Sequence, residues 1–188
     1  MNILRTILNH MREHIDMPML VEMHGDKRVS SLAGDIVYRT AQVVAFLKAS
    51  GVEPGDRIAL FAPNSSRWVA SDLAILSVGA VCVPLYARQA PEELAVMLRD
   101  CQPKVLLAAT DELKSNIAEA WGDTDALVVS FEEVFKTSVD TAHFDVHAAA
   151  GADPMTIIYT SGTSGEPKGV VYNWDNVNFM VPLCAREL

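Results

Sequence analysis

Apolar side chains recur at three- and four-residue intervals through Ile3, Leu4, Ile7, Leu8, Met11 and Ile15. That spacing predicts an amphipathic helix over residues 2–15, ended by Pro18. Two short runs, 19–23 and 28–32, flank the turn His24-Gly25-Asp26-Lys27 and read as strands. Ser31 then offers a capping hydroxyl to a helix running to Ser50, with Gly51 as its left-handed stop. After the turn Glu53-Pro54-Gly55-Asp56 the pattern alternates. Strands are expected at 57–62, 80–85, 104–109 and 126–130, and helices at 67–78, 91–101 and 111–121. Asn64-Ser65-Ser66 supplies capping oxygens for the first of those helices, and Pro91 with Glu92 and Glu93 opens the second. Strands alternating with helices of this length indicate an α/β fold with a largely parallel sheet flanked by helices. Residues 137–153 have no clear period and read as a connector to a last strand at 155–160.

Composition supports an ordinary globular chain. Of 188 residues, 50% are hydrophobic and 21% charged, which excludes collagen, disordered tails and small disulfide scaffolds. The net charge of −9 argues against a binder of nucleic-acid backbone. That charge is concentrated: residues 111–153 hold ten acids against Lys114 and Lys136. A solvated outer face is the simpler reading of the stretch, and an acidic docking strip the alternative. Cys82, Cys101 and Cys184 show no metal-ligand spacing and suit reduced thiols in a cytoplasmic protein. The N-terminus mixes charged with apolar residues and is no signal peptide. The longest apolar run, 73–87, is too short to be a transmembrane segment.

The last strand runs into Thr160-Ser161-Gly162-Thr163-Ser164-Gly165-Glu166-Pro167-Lys168-Gly169. Its three glycines permit positive-φ backbone, in which successive amide N–H groups face one concavity. Four hydroxyls add donors, Lys168 a mobile charge, and Pro167 a stiff exit. Such a segment can wrap a polyphosphate. A Walker A loop is excluded, because Pro167 precedes the lysine, Gly169 follows it, and Val170-Val171-Tyr172 continues as a strand rather than a helix.

Residues 159–170 closely resemble the phosphate-binding signature of the adenylate-forming enzymes, YTSGTTGxPKG, with Ser164 in place of the second Thr. This superfamily comprises acyl-CoA synthetases, luciferases and peptide-synthetase adenylation domains. Eight matched positions have a chance frequency on the order of 10⁻⁹ to 10⁻¹⁰ per starting point. Gly55 to Phe61, Trp68, Asp72 to Leu76 and Gly79 to Tyr86 are similar to the long-chain fatty-acid–CoA ligase branch. The resemblance extends from Ser30 to about Val177. It departs at Leu32-Ala33, where relatives have Thr-Tyr, and at Asn173-Trp174, where they have Thr-His near the acyl pocket.

The resemblance implies that ATP and a small-molecule carboxylic acid give an acyl-adenylate, from which coenzyme A displaces AMP. A medium- or long-chain fatty acid is the expected substrate. Aryl-acid, amino-acid and fatty-acyl-AMP ligases are the alternatives, and a non-catalytic phosphate-binding or dimerising module is the alternative of another class. It implies that Thr160 meets Mg²⁺ and that Ser161, Gly162, Thr163, Ser164, Gly165, Glu166, Pro167 and Lys168 surround the departing pyrophosphate. It places adenine, ribose and acyl contacts, with a catalytic lysine in a small C-terminal domain, outside these residues. Residues 1–188 are therefore expected to be the N-terminal portion of an AMP-binding domain, with 154–171 carrying strand, phosphate loop and strand. Alone, they are expected to be inactive. Nucleic acid is not an expected partner; a homodimer is the protein partner considered.

One rival motif stands apart. His10-Met11-Arg12-Glu13-His14 matches H-x-x-E-H, a zinc-peptidase pattern. No third ligand is evident, so exposed histidines are the preferred reading, as they are for His143 and His147.

Overall fold

The computed structural model describes residues 2–161 and 167–184. Helix α1 (Ile3–Glu13) leads to the antiparallel hairpin β1 (Pro18–His24) and β2 (Lys27–Leu32), and β2 passes directly into α2 (Ala33–Ala49). The alternating part follows as β3 (Arg57–Phe61), α3 (Ser66–Ser77), β4 (Val81–Leu85), α4 (Pro91–Cys101), β5 (Val105–Ala108), α5 (Asp111–Trp121) and β6 (Leu127–Ser130). A single helical turn, α6 (Phe131–Val134), begins the connector. Beyond it come β7 (Pro154–Ser161), β8 (Pro167–Asn173) and α7 (Trp174–Cys184).

The large sheet has the order β6-β5-β3-β4-β7-β8, parallel throughout except for the antiparallel β7–β8 pair. Alternation along the strands builds two cores. Ile58, Leu60, Cys82, Val105 and Leu107 face α1, α2 and α3. Ala59, Phe61, Val83, Leu85 and Leu106 face α4 and α5. Strands buried on both faces explain why β3, β4 and β5 read as continuous apolar runs.

Two expectations are corrected. Ser31 does not cap α2; it is buried within β2, and Leu32 occupies the cap position, its N–H donating to Asp35 Oδ2 at 3.1 Å. No loop separates strand from helix, so no free hydroxyl is left at that junction. Pro18 does not end α1, which stops at Glu13; it begins β1. The connector is patterned by distant donors rather than by its own period. Arg5 reaches Val146 O, Arg12 reaches Phe144 O and stacks over the Phe144 ring, and Gln42 Nε2 donates to Phe135 O and Thr137 O. The His147 N–H donates to Ser77 O, and its ring covers Gly79, whose φ of +81° and lack of a Cβ allow that approach.

Candidate phosphate-binding site

The site grows from the β7–β8 hairpin. Its register sets Tyr159 opposite Gly169, Thr160 opposite Lys168 and Ser161 opposite Pro167. Directly opposed residues have Cβ atoms about 4.5–5.5 Å apart on one face. The hydroxyl of Thr160 and the ammonium stem of Lys168 therefore start from adjacent points, and both residues are exposed. Lys168 is consequently an exposed strand residue. Gly162, Thr163, Ser164, Gly165 and Glu166 lie outside the described residues, as does the side chain of Ser161.

Gly169 does not supply a positive φ. Its contribution is clearance. A Cβ there would stand 2.9 Å from Ile157 Cγ2 and 3.2–3.3 Å from the Tyr159 ring. The Tyr159 ring lies against the core beneath α4, and its hydroxyl donates to Asp100 Oδ2 at 2.5 Å, with Met97 O 3.2 Å away. Burial, with the Asp100 carboxylate second, raises the phenol well above its ordinary range, so it stays a donor at neutral pH. Sequence reasoning missed this contact, since Asp100 and Tyr159 are 59 residues apart and carry no shared pattern.

A second concavity lies beside the hairpin. The connection after β3 leaves toward α3 on one face, while that after β4 leaves toward α4 on the other, which makes the β3/β4 carboxyl end a topological switch point. In open α/β sheets such points leave a crevice that takes ligands. Here it measures about 570 Å³ and is lined by Pro63, Asn64, Trp68, Tyr86 and Arg88 among others. Because β4 is flanked by β3 and β7, the crevice and the β7–β8 hairpin are one to two strand spacings apart, roughly 5–10 Å. Pro84 is among the residues lining the crevice, whereas Gly79 and the pair of half-buried Asp72 and buried Cys82 are framework. Burial raises the Asp72 carboxyl, and burial with the Asp72 charge raises the Cys82 thiol well above its ordinary value. Burial also pushes Cys101 up to about 11. Neither thiol is a nucleophile at neutral pH.

The rings of His10 and His14 lie 4.5 Å apart between centroids and tilted by 60°, and among the described residues no three His, Cys, Asp or Glu side chains group as metal ligands. The two departures from the family pattern have structural roles. Ala33 is fully buried at the start of α2. Trp174 is 3% exposed and packs in the first core. Asn173 and Asn176 cap each other's backbone at 2.9 and 3.0 Å, fixing the start of α7.

Comparison with known proteins bears on this geometry. The profile of the AMP-binding enzyme family matches residues 12–187. The chain is 37% identical over 145 residues to the long-chain-fatty-acid–CoA ligase FadD15 of Mycobacterium tuberculosis, covering 68% of this chain and 24% of the ligase. It thus spans about a quarter of the length of that relative. Among solved structures, a benzoate CoA ligase from Burkholderia xenovorans LB400 superposes with a TM-score of 0.81 at 19% identity, over 97% of this chain and 36% of that one. McyG A-PCP complexed with phenylalanyl-adenylate superposes with a TM-score of 0.83 at 16% identity, over 98% of this chain and 30% of that one. At these identities the superpositions establish the fold alone.

Proposed function

The chain belongs to the AMP-binding enzyme family, and from that premise we propose that it forms the phosphate-handling part of a ligase that activates a fatty acid. ATP and the acid would give an acyl-adenylate and pyrophosphate, and coenzyme A would then take the acyl group as a thioester. The observation that carries the phosphate assignment is the register of β7 against β8, with Thr160 and Lys168 opposed at the root of the signature loop. An acid attacking ATP must approach a polyanion, and the developing charge on the leaving pyrophosphate needs donors and cations held ready for it. Lys168 supplies a charge there, and the hydroxyls and amides of residues 160–165 supply donors. The exposed Thr160 hydroxyl suits Mg²⁺, a cation that takes most of its ligands from phosphates and water, and whose charge would stabilise the leaving group.

The fatty-acid reading follows the 37% identity to FadD15. Aryl and amino acids, the alternatives that the signature leaves open, are the second reading. ATP–pyrophosphate exchange on the complete gene product, across a panel of fatty, aryl and amino acids, separates the two. Exchange that depends on aryl or amino acids, with none from fatty acids, overturns the first. The 188 residues alone are expected to bind magnesium pyrophosphate without supporting exchange. Calorimetry tests the binding, and Thr160→Ala and Lys168→Ala should each weaken it. Tight ATP binding with marked adenine selectivity would instead indicate a self-contained binding module.

A further inference from the structure

The hairpin that carries the loop joins the sheet through β7, which lies along β4. The ladder between β4 and β7 contains one Cα pair, Cys82 with Thr156, reinforced by Thr156 Oγ1 donating to Cys82 O at 2.9 Å. From Thr156 to Ser161 the strand runs on for roughly 16 Å at 3.3 Å per residue, with β8 as its only ladder partner among the described residues. Past Thr156 the ladder from β4 adds no further pair, so side-chain contacts share in fixing the angle at which Thr160 and Lys168 meet a ligand.

Tyr159 is placed to do this. It sits one residue before Thr160, beyond the β4 ladder pair, and its side chain points away from Thr160 onto α4. Its ring lies across Gly169 of β8, where a Cβ would push it aside. Its hydroxyl reaches Asp100 and the Met97 carbonyl on the last turns of α4. One side chain therefore touches both strands of the hairpin and ties them to a helix anchored in the second core by Leu94, Ala95 and Leu98. We propose that Tyr159 and Asp100 form a positioning pair, which locks the β7–β8 hairpin onto α4 and thereby sets Thr160 and Lys168 for a polyphosphate. This rests on the phosphate-binding reading above.

The test compares the 188-residue chain with Tyr159→Phe, Asp100→Asn and the double variant. Magnesium pyrophosphate binding is measured by calorimetry, and hydrogen exchange is followed in residues 157–160 and 168–171. Tyr159→Phe should weaken pyrophosphate binding about tenfold, the scale of one hydrogen bond to a charged group. Exchange in the hairpin should accelerate while β3 and β4 keep their protection. Asp100→Asn should act in the same direction, and the double variant should be no weaker than Tyr159→Phe alone. Binding by Tyr159→Phe within twofold of the wild type overturns the inference, because a purely structural loss lowers stability without changing the affinity of the folded protein. A wild-type chain that fails to bind pyrophosphate overturns the phosphate reading itself, and the inference with it. If Tyr159→Phe does not fold, Asp100→Asn at its exposed position makes the same comparison.

Discussion

Gln42→Ala should destabilise the protein by about 1–2 kcal/mol. Gln42 is 9% exposed on α2, and its amide donates to two carbonyls of the connector, Phe135 O at 3.0 Å and Thr137 O at 2.9 Å. Each such bond contributes about 0.5–1.5 kcal/mol net. Three effects pull the sum down from its upper end: both carbonyls are partly open to water, alanine is the better helix former by a few tenths of a kcal/mol, and the freed glutamine rotamers no longer oppose folding. For a chain of this size the loss corresponds to a fall in Tm of about 2–8 °C. Urea unfolding followed by far-UV circular dichroism and by tryptophan fluorescence measures it, with Trp174 reporting from the core beneath the connector. Gln42→Glu should be worse than alanine, because it points a carboxylate at two carbonyl oxygens. A loss below about 0.3 kcal/mol, or tolerance of glutamate, would refute the idea that side-chain donors hold the connector in place.

Further expectations concern charge, space and metal. Burial raises the Asp72 carboxyl in the folded state, offset in part by the Cys82 thiol. That contribution is fully present below the unfolded pKa of about 3.9 and is lost as pH rises through the folded value. Asp72→Asn should therefore be more stable than wild type at neutral pH, with the gap closing in acid; a pH-independent gap argues against it. Asp56 behaves in the opposite sense. Burial pushes its carboxyl up, but the Glu53 N–H and Lys104 outweigh that and hold it low, so its stabilisation disappears as pH falls through the folded value. Asp56→Asn should remove that acid-side loss in pH-dependent urea titrations. Gly169→Ala should cost about 1–3 kcal/mol by crowding Ile157 and Tyr159, read as faster hydrogen exchange in the hairpin. Protein purified without a tag should contain no stoichiometric zinc by elemental analysis; one zinc per chain would reopen the H-x-x-E-H reading.

Elements whose ends are written locally were legible in the sequence. Pro91 with Glu92 and Glu93 marked the start of α4 to the residue, and Ser65 caps α3 by accepting from the Trp68 N–H. The short turn α6 was overlooked although its signal was present: Ser130 and Glu133 stand in capping-box spacing, and the Ser130 N–H donates to Glu133 Oε2 at 2.7 Å. The connector was opaque for a different reason, since the residues that order it lie on α1 and α2. The signature segment was recognisable because its residues are contiguous along the chain. The hold that α4 keeps on it was not, because Tyr159 and Asp100 become neighbours only when the sheet forms.

The order of the strands also settles an apparent conflict in the charge. Seven acids lie on α5, α6 and the turns beside β6, where Glu132 pairs with Arg67 and Glu133 with Lys114. Along the chain they come shortly before a loop suited to polyanions, yet β6 and β7 are four strand spacings apart, roughly 19 Å. The Debye length at physiological ionic strength is about 8 Å, so an acid held beside β6, at the sheet edge, is more than two screening lengths from β7, while Glu132, paired with Arg67 at the start of α3, lies nearer. In dilute buffer, where that length grows to about 30 Å, the edge comes back into view. The molecule is electrically lopsided, and lowering the salt should strengthen phosphate binding less than the charge at the loop alone would require.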